Sequence, residues 1–145
     1  MQRREQKEPI FLDTSIPIYA AGTSGPYKAT CVALLDRIER GELKAVIDAE
    51  VVQEILYRFF RLNLSKEGEQ LGRQLLRLGV GVMPITRSDI GRAIDLQERY
   101  STQRIPPRDT LHVAVMLNNN LRKILTADKH FEKIEEVDRV DPVKM

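Results

Sequence analysis

Four acidic residues stand where an α/β chain can assemble a metal site: Asp13 in I-F-L-D-T-S, Glu54 in V-V-Q-E-I-L, Asp109 in P-P-R-D-T-L-H and Asp128 in I-L-T-A-D. Asp13 and Asp128 come at or just past the ends of short apolar runs that read as strands, while Glu54 and Asp109 sit in segments that read as helices. In an open parallel sheet the carboxyl ends of the strands share one edge, and ligands bind there. Four carboxylates gathered on that edge cannot all stay ionised unaided, because like charges raise one another's pKa. A hard divalent cation, Mg²⁺ or Mn²⁺, removes the conflict and takes oxygen ligands.

Each acid also has a structural competitor. Asp13 can cap the short helix that follows, although Thr14 and Ser15 are able to do the same and their hydroxyls can equally hold a water or a phosphate oxygen. Glu54 has Arg58 four residues on, a spacing that makes a helix-surface ion pair worth ~0.3 kcal/mol. On a helical wheel Val52, Ile55, Leu56 and Phe59 form the expected core face, with Glu54, Tyr57, Arg58 and Arg61 opposite. Asp109 lies in a first helical turn, where the helix dipole favours a carboxylate, yet an acid there is also rigidly mounted. His112, one turn further, reads as a hydrogen-bonded core residue whose ring can fix its neighbours. Asp128 can cap the short turn at H-F-E-K, and His130 beside it is expected at the surface. Asp48 follows a strand just ahead of a long helix, so capping accounts for it better than ligation.

The elements that must position these residues alternate. Strands are expected over residues 10–12, 44–47, 81–85, 123–126 and 137–140, with Pro84 arguing that the third is short or at an edge. Helices are expected over residues 16–21, 27–40, 48–63, 65–78, 87–100 and 107–118. Thr86 and Asp89 have the form of a capping box, and Pro107 suits a first helical turn. The last helix carries Leu111, Val113, Ala114, Val115, Met116 and Leu117 on nearly every side, which predicts a buried central helix. Asn118 to Asn120 reads as its end. The whole is an α/β fold with a mainly parallel sheet covered on both faces.

The chain of 145 residues fits one domain, here residues 9–145 behind a polar tail at residues 1–8. Hydrophobic residues at 42% and charged residues at 30% match a globular composition and exclude a disordered one. No run approaches about 18 consecutive apolar residues, so no membrane span is expected. The N-terminal M-Q-R-R-E-Q-K-E-P leads into no apolar core of signal-peptide length, which predicts a cytoplasmic protein. The single cysteine, Cys31, reads as a small buried hydrophobe. Net charge is only +2, but setting the four acids aside leaves 23 basic residues against 17 acidic ones, a balance of +6 around an acidic focus. That pattern suits a polyanionic substrate.

F-L-D-T-S near the start, the acid in V-V-Q-E-I-L-Y-R, R-D-T-L-H-V-A before the apolar helix and I-L-T-A-D-K-H-F after the next strand together resemble the PIN-domain family. The likeness is greatest to the VapC-type ribonuclease toxins of toxin-antitoxin pairs. It runs from Ile10 to Val140, leaving out the first eight residues, with Thr110 where a small residue is equally usual. The resemblance implies a three-layer α/β/α fold and a metal-dependent endoribonuclease with Asp13, Glu54, Asp109 and Asp128 around one or two Mg²⁺ or Mn²⁺ ions. It implies 5′-phosphate products. Thr14, Ser15 and Thr126 are then candidates for orienting water or phosphate, with His112 in support, and Arg58, Arg61, Arg104 and Arg108 for holding the RNA backbone. A homodimer, with the helices from Tyr27 and Ser65 as contacts, and a cognate antitoxin are further implications. Two other readings compete: a non-catalytic RNA-binding or assembly module of the same fold, and an aspartyl-nucleophile phosphatase. The phosphatase needs a second acid two residues after the first, where this chain has Ser15.

Overall fold

The computed structural model describes residues 8–22 and 25–145; the expected tail, apart from Glu8, and part of the G-T-S-G-P break lie outside the described residues. Five parallel strands, β1 (Ile10–Leu12), β2 (Ala45–Asp48), β3 (Gly81–Met83), β4 (Lys123–Leu125) and β5 (Asp138–Val140), form one sheet in the order β3-β2-β1-β4-β5. The helices are α1 (Ser15–Ala21), α2 (Lys28–Glu39), α3 (Ala49–Arg61), α4 (Ser65–Arg77), α5 (Arg87–Arg99) and α6 (Pro107–Asn118). Two 3₁₀ turns, Lys129–Lys133 and Pro142–Lys144, complete the chain. This is the three-layer α/β/α arrangement.

The inner strands are apolar apart from Asp48 at the end of β2 and Lys123 at the start of β4, because helices cover both of their faces. Every residue of β1 and β2 is buried, whereas no residue of the edge strands is: β3 is largely exposed and β5 is half-buried beyond Asp138. β3 stops at Met83, one residue before Pro84, which could not donate a ladder hydrogen bond. From β1 the chain moves outward through β2 to β3, then crosses to the other side of β1 for β4 and β5. The reversal opens a crevice between the carboxyl ends of β1 and β4, the place where open α/β sheets bind ligands. Asp13 and Thr126 are the residues that immediately follow those two strands.

α6 is the buried helix, with Val113, Ala114, Val115 and Met116 fully covered. The Thr86–Asp89 capping box forms at the start of α5, and Asn118 Nδ2 donates to Asp89 Oδ1 (2.7 Å), tying the end of α6 to that cap. Cys31 is buried in the core. α3 corrects one expectation: Val51 and Ile55 are its buried line, Leu56 turns outward, and Val52 and Phe59 are only partly covered. A Cβ at Gly68 would come within 2.6 Å of the Phe59 Cβ and one at Gly72 within 3.7 Å of the Val52 side chain, so α4 packs backbone-close against Val52 and Phe59. No helix among the described residues is long and apolar enough to cross a membrane.

Candidate metal centre

All four predicted acids line one small cleft, of about 150 Å³, at the carboxyl edge of the sheet. Thr14, Ser15, Ile18, Tyr19, Arg58 and Arg108 form the rest of its wall. Asp13 is held across the switch point: its Oδ2 accepts from Thr126 Oγ1 (2.7 Å) and from the Ser15 backbone N–H (3.3 Å), and its own N–H donates to the Leu125 carbonyl (3.1 Å). Thr126 in turn accepts the Asp128 N–H (3.0 Å), and Ser15 Oγ accepts the Ala127 N–H (3.3 Å). The loop after β4 is thus fastened to the loop after β1, and Asp128 comes to the cleft by that fastening. Its side chain caps nothing in the turn that follows, so the capping alternative does not apply. Nor does the Thr14 side chain cap α1.

Glu54 makes no ion pair with Arg58 among the described residues. Its Oε1 lies 2.7 Å from His112 Nε2, and Oε2 is 3.9 Å from Arg108 Nε. His112 is fully buried, and its other nitrogen, Nδ1, is 2.7 Å from Asp48 Oδ2. Asp48 does cap α3 through Oδ1, which accepts the Val51 N–H (3.1 Å), as its position suggests, but its second oxygen carries the histidine. Burial alone would push the His112 imidazole down; hydrogen bonds to Asp48 and Glu54 and their negative charges outweigh it and hold the ring well above its ordinary value. An imidazole placed between two carboxylates donates from both nitrogens only as the cation.

His130 is the residue that sequence reasoning misplaced. It is only 31% exposed at the side chain and its Nε2 sits 2.6 Å from Asp109 Oδ2. The 3₁₀ turn brings it there, stacked on the buried ring of Phe131 with centroids 4.6 Å apart. The hydrogen bond to Asp109 raises the His130 pKa, burial opposes, and the charges of Asp109, Asp128 and Asp13 add to the rise. Asp13 itself is raised from the usual carboxylate value. Burial is the main cause, Asp109 adds to it, and the His112 charge and the Ser15 and Thr126 hydrogen bonds only partly offset it.

The donor set fits a hard cation. Ligand atoms of Asp13, Asp109 and His112 lie within 4.8 Å of one another, and since both His112 nitrogens are engaged, the open donors are carboxylate oxygens. Thr14 Oγ1, at the cleft wall and buried, has no hydrogen-bond partner among the described residues. Such an orphaned polar atom is costly unless a bound group satisfies it. Of the four arginines singled out, Arg58 and Arg108 stand in the cleft wall; Arg61 reaches the Tyr57 hydroxyl (3.3 Å) on the outer face of α3, and Arg104 lies in an exposed loop with φ of 55°.

Parallel sheet, switch-point cleft and convergent acids define a class. A family model described as the PIN domain matches residues 10–137, and the chain belongs to the PIN-domain family. Within it, a VapC ribonuclease of Mycobacterium bovis is 31% identical over 131 residues, spanning 90% of this chain and 98% of that protein. Ribonuclease VapC13 of Mycobacterium tuberculosis matches to the same extent. Among solved structures, VapBC2 from Rickettsia felis bound to a promoter DNA fragment has a TM-score of 0.73 at 14% identity, covering 92% of this chain and 98% of that one. VapC20 of M. tuberculosis, described as a toxin that cleaves the sarcin-ricin loop, has a TM-score of 0.73 at 16% identity, covering 87% and 95%. A toxin-antitoxin complex from Klebsiella pneumoniae follows at 0.62 and 15%, covering 92% and 97%. At these identities the structures establish the shared fold.

Proposed function

We propose that this protein is a divalent-metal-dependent endoribonuclease, the toxin of a toxin-antitoxin pair, acting in the cytoplasm. The observation that carries the reading is the meeting of Asp13, Glu54, Asp109 and Asp128 in one cleft although up to 115 positions separate them in the chain. The ribonuclease names of relatives at 31% identity supply the substrate class.

Asp13 and Asp109 would hold the cation, Mg²⁺ or Mn²⁺, with Glu54 and Asp128 completing the ligand wall. When bound, it supplies positive charge to the phosphoryl and leaving oxygens and makes water a better nucleophile. The chain does the rest. A wall carboxylate accepts the proton as attack on phosphorus begins, Arg58 and Arg108 grip backbone phosphates at the rim, and the unpartnered Thr14 hydroxyl orients water or a phosphate oxygen. Cleavage leaves a 5′-phosphate. The phosphatase alternative gains nothing from the structure, because Ser15, at the position of its second acid, is occupied by the Ala127 N–H.

Protein partners have a separate surface. A trough of about 530 Å³ runs between α1, α2 and α4, lined by Pro17, Val32, Leu35, Leu71, Leu75 and Leu78 among others. It involves the two helices expected to make the homodimer contacts. The toxin-antitoxin complex among the structural neighbours supports a cognate antitoxin as a further partner.

The test is Asp109→Asn, which keeps size and removes charge. Mn²⁺-dependent RNA cleavage should disappear while circular dichroism is unchanged; full activity would remove Asp109 from the site. Wild-type protein that binds RNA in Mn²⁺ without cutting it would favour the non-catalytic module.

A further inference from the structure

We propose that His112 is a positioning residue which, anchored by Asp48, holds the Glu54 carboxylate in the cleft and sets its place relative to Asp109. The inference rests on the metal-site reading above and concerns how one ligand-bearing helix is registered against the other. α3 packs chiefly on α4, and α6 chiefly on α5, so the helices carrying Glu54 and Asp109 share little packing of their own. His112 supplies the tie. It sits on α6 three residues after Asp109, and its Nε2 reaches Glu54 on α3 at 2.7 Å.

The anchoring forms a closed loop. Asp48 Oδ1 caps the first turn of α3, the helix that carries Glu54, while Oδ2 fixes the imidazole that grips Glu54. One aspartate therefore sets both the start of the helix and the orientation of its functional side chain. Without the ring, Glu54 faces Arg58 one turn along the same helix and Arg108 at 3.9 Å, and either guanidinium would draw it to the rim. The ring is fully buried and packs against Phe11 with centroids 5.4 Å apart.

Two substitutions separate the ring's two bonds. Gln places an amide N–H near the Nε2 position and keeps the Glu54 contact; Asn places one near Nδ1 and keeps only Asp48. Mn²⁺ affinity, measured by electron paramagnetic resonance without RNA, should fall about threefold in His112→Gln, which keeps Glu54 but loses the Asp48 anchor, and about tenfold or more in His112→Asn, which loses Glu54. Adding His112→Asn to Glu54→Gln should cost no further affinity, because the ring acts through that carboxylate. On RNA, His112→Asn should lower kcat with KM little changed. Wild-type Mn²⁺ affinity in folded His112→Asn overturns the proposal, as does equal impairment of both variants in step with lost thermal stability.

If His112→Asn does not fold, Asp48→Ser replaces it, since serine still caps α3 but is too short to hold the ring; unchanged Mn²⁺ affinity there is equally fatal. The metal readout also keeps the two readings apart. Mn²⁺ binding that responds to His112→Asn in a protein that leaves RNA intact upholds the positioning role and refutes the ribonuclease. RNA cleavage with Mn²⁺ binding indifferent to His112→Asn does the reverse.

Discussion

Two buried aspartates, Asp13 and Asp89, are each 3% exposed and meet opposite electrostatic fates. Burial works against the charge of Asp89, but the Thr86 backbone N–H (2.8 Å), the Thr86 hydroxyl (3.0 Å) and the Asn118 amide (2.7 Å) reverse the effect and bring its pKa below the usual value. At Asp13 burial prevails: a hydroxyl, one long backbone N–H and the His112 charge offset it only in part, Asp109 adds to it, and the pKa ends above the usual value. A carboxylate that supports the fold is saturated by neutral donors. Asp13 is left short of them and beside another negative charge, the pattern expected of a carboxylate whose charge a bound cation would balance.

The largest effect expected from that contrast is on activity. Asp13→Asn should lower Mn²⁺-dependent cleavage about a thousandfold or more. In metal-free protein the same change should raise stability by about 1 kcal/mol, because it removes a charge that the fold holds unfavourably. A thermal melt in chelator checks this, and a large drop in Tm would show that Asp13 is structural after all. Metal addition comes next: Mn²⁺ at about a hundred times its dissociation constant should stabilise wild type by about 2.7 kcal/mol and leave Asp13→Asn little changed.

Asp89→Ala should do the opposite of Asp13→Asn. It should cost about 1 to 2 kcal/mol, read in urea unfolding, with the activity of each folded molecule intact. The smallest effect is on pH. The folded values of Asp13 and His130 both lie above their ordinary ones, 3.8 and 6.5, so the native state binds more protons than the unfolded chain in those ranges. Their stabilising contribution is present below the ordinary value and is lost as pH rises through the folded value. For His130 that loss begins above pH 6.5, so metal-free protein should lose stability from there upward. His130→Gln should flatten the slope, and an unchanged slope would remove the Asp109–His130 contact from the account.

Much of this arrangement was legible before any coordinates. Asp13 and Asp128 stand at or just past the ends of apolar strands, the Thr86–Asp89 box announces α5, and α6 runs over the expected residues 107–118. These are local signals, carried by neighbours within one or two turns. The roles of His112, Asp48 and His130 were not local. His112 meets partners 64 and 58 positions away, and His130 folds back over 21, distances at which periodicity carries no information. The buried line of α3 was hidden for a similar reason: its wheel offers more than one apolar stripe, Val51 with Ile55 and Val52 with Phe59, and which is covered depends on elements distant in the chain.

The central claim is that carboxylates from distant segments hold a divalent cation together. A crystal soaked in Mn²⁺, with anomalous difference density recorded, tests it most directly. A peak is expected in the cleft with Asp13 and Asp109 oxygens in its coordination sphere and Glu54 still bonded to His112. A fully soaked crystal with no peak there, and Asp109 still engaged by His130, would contradict it.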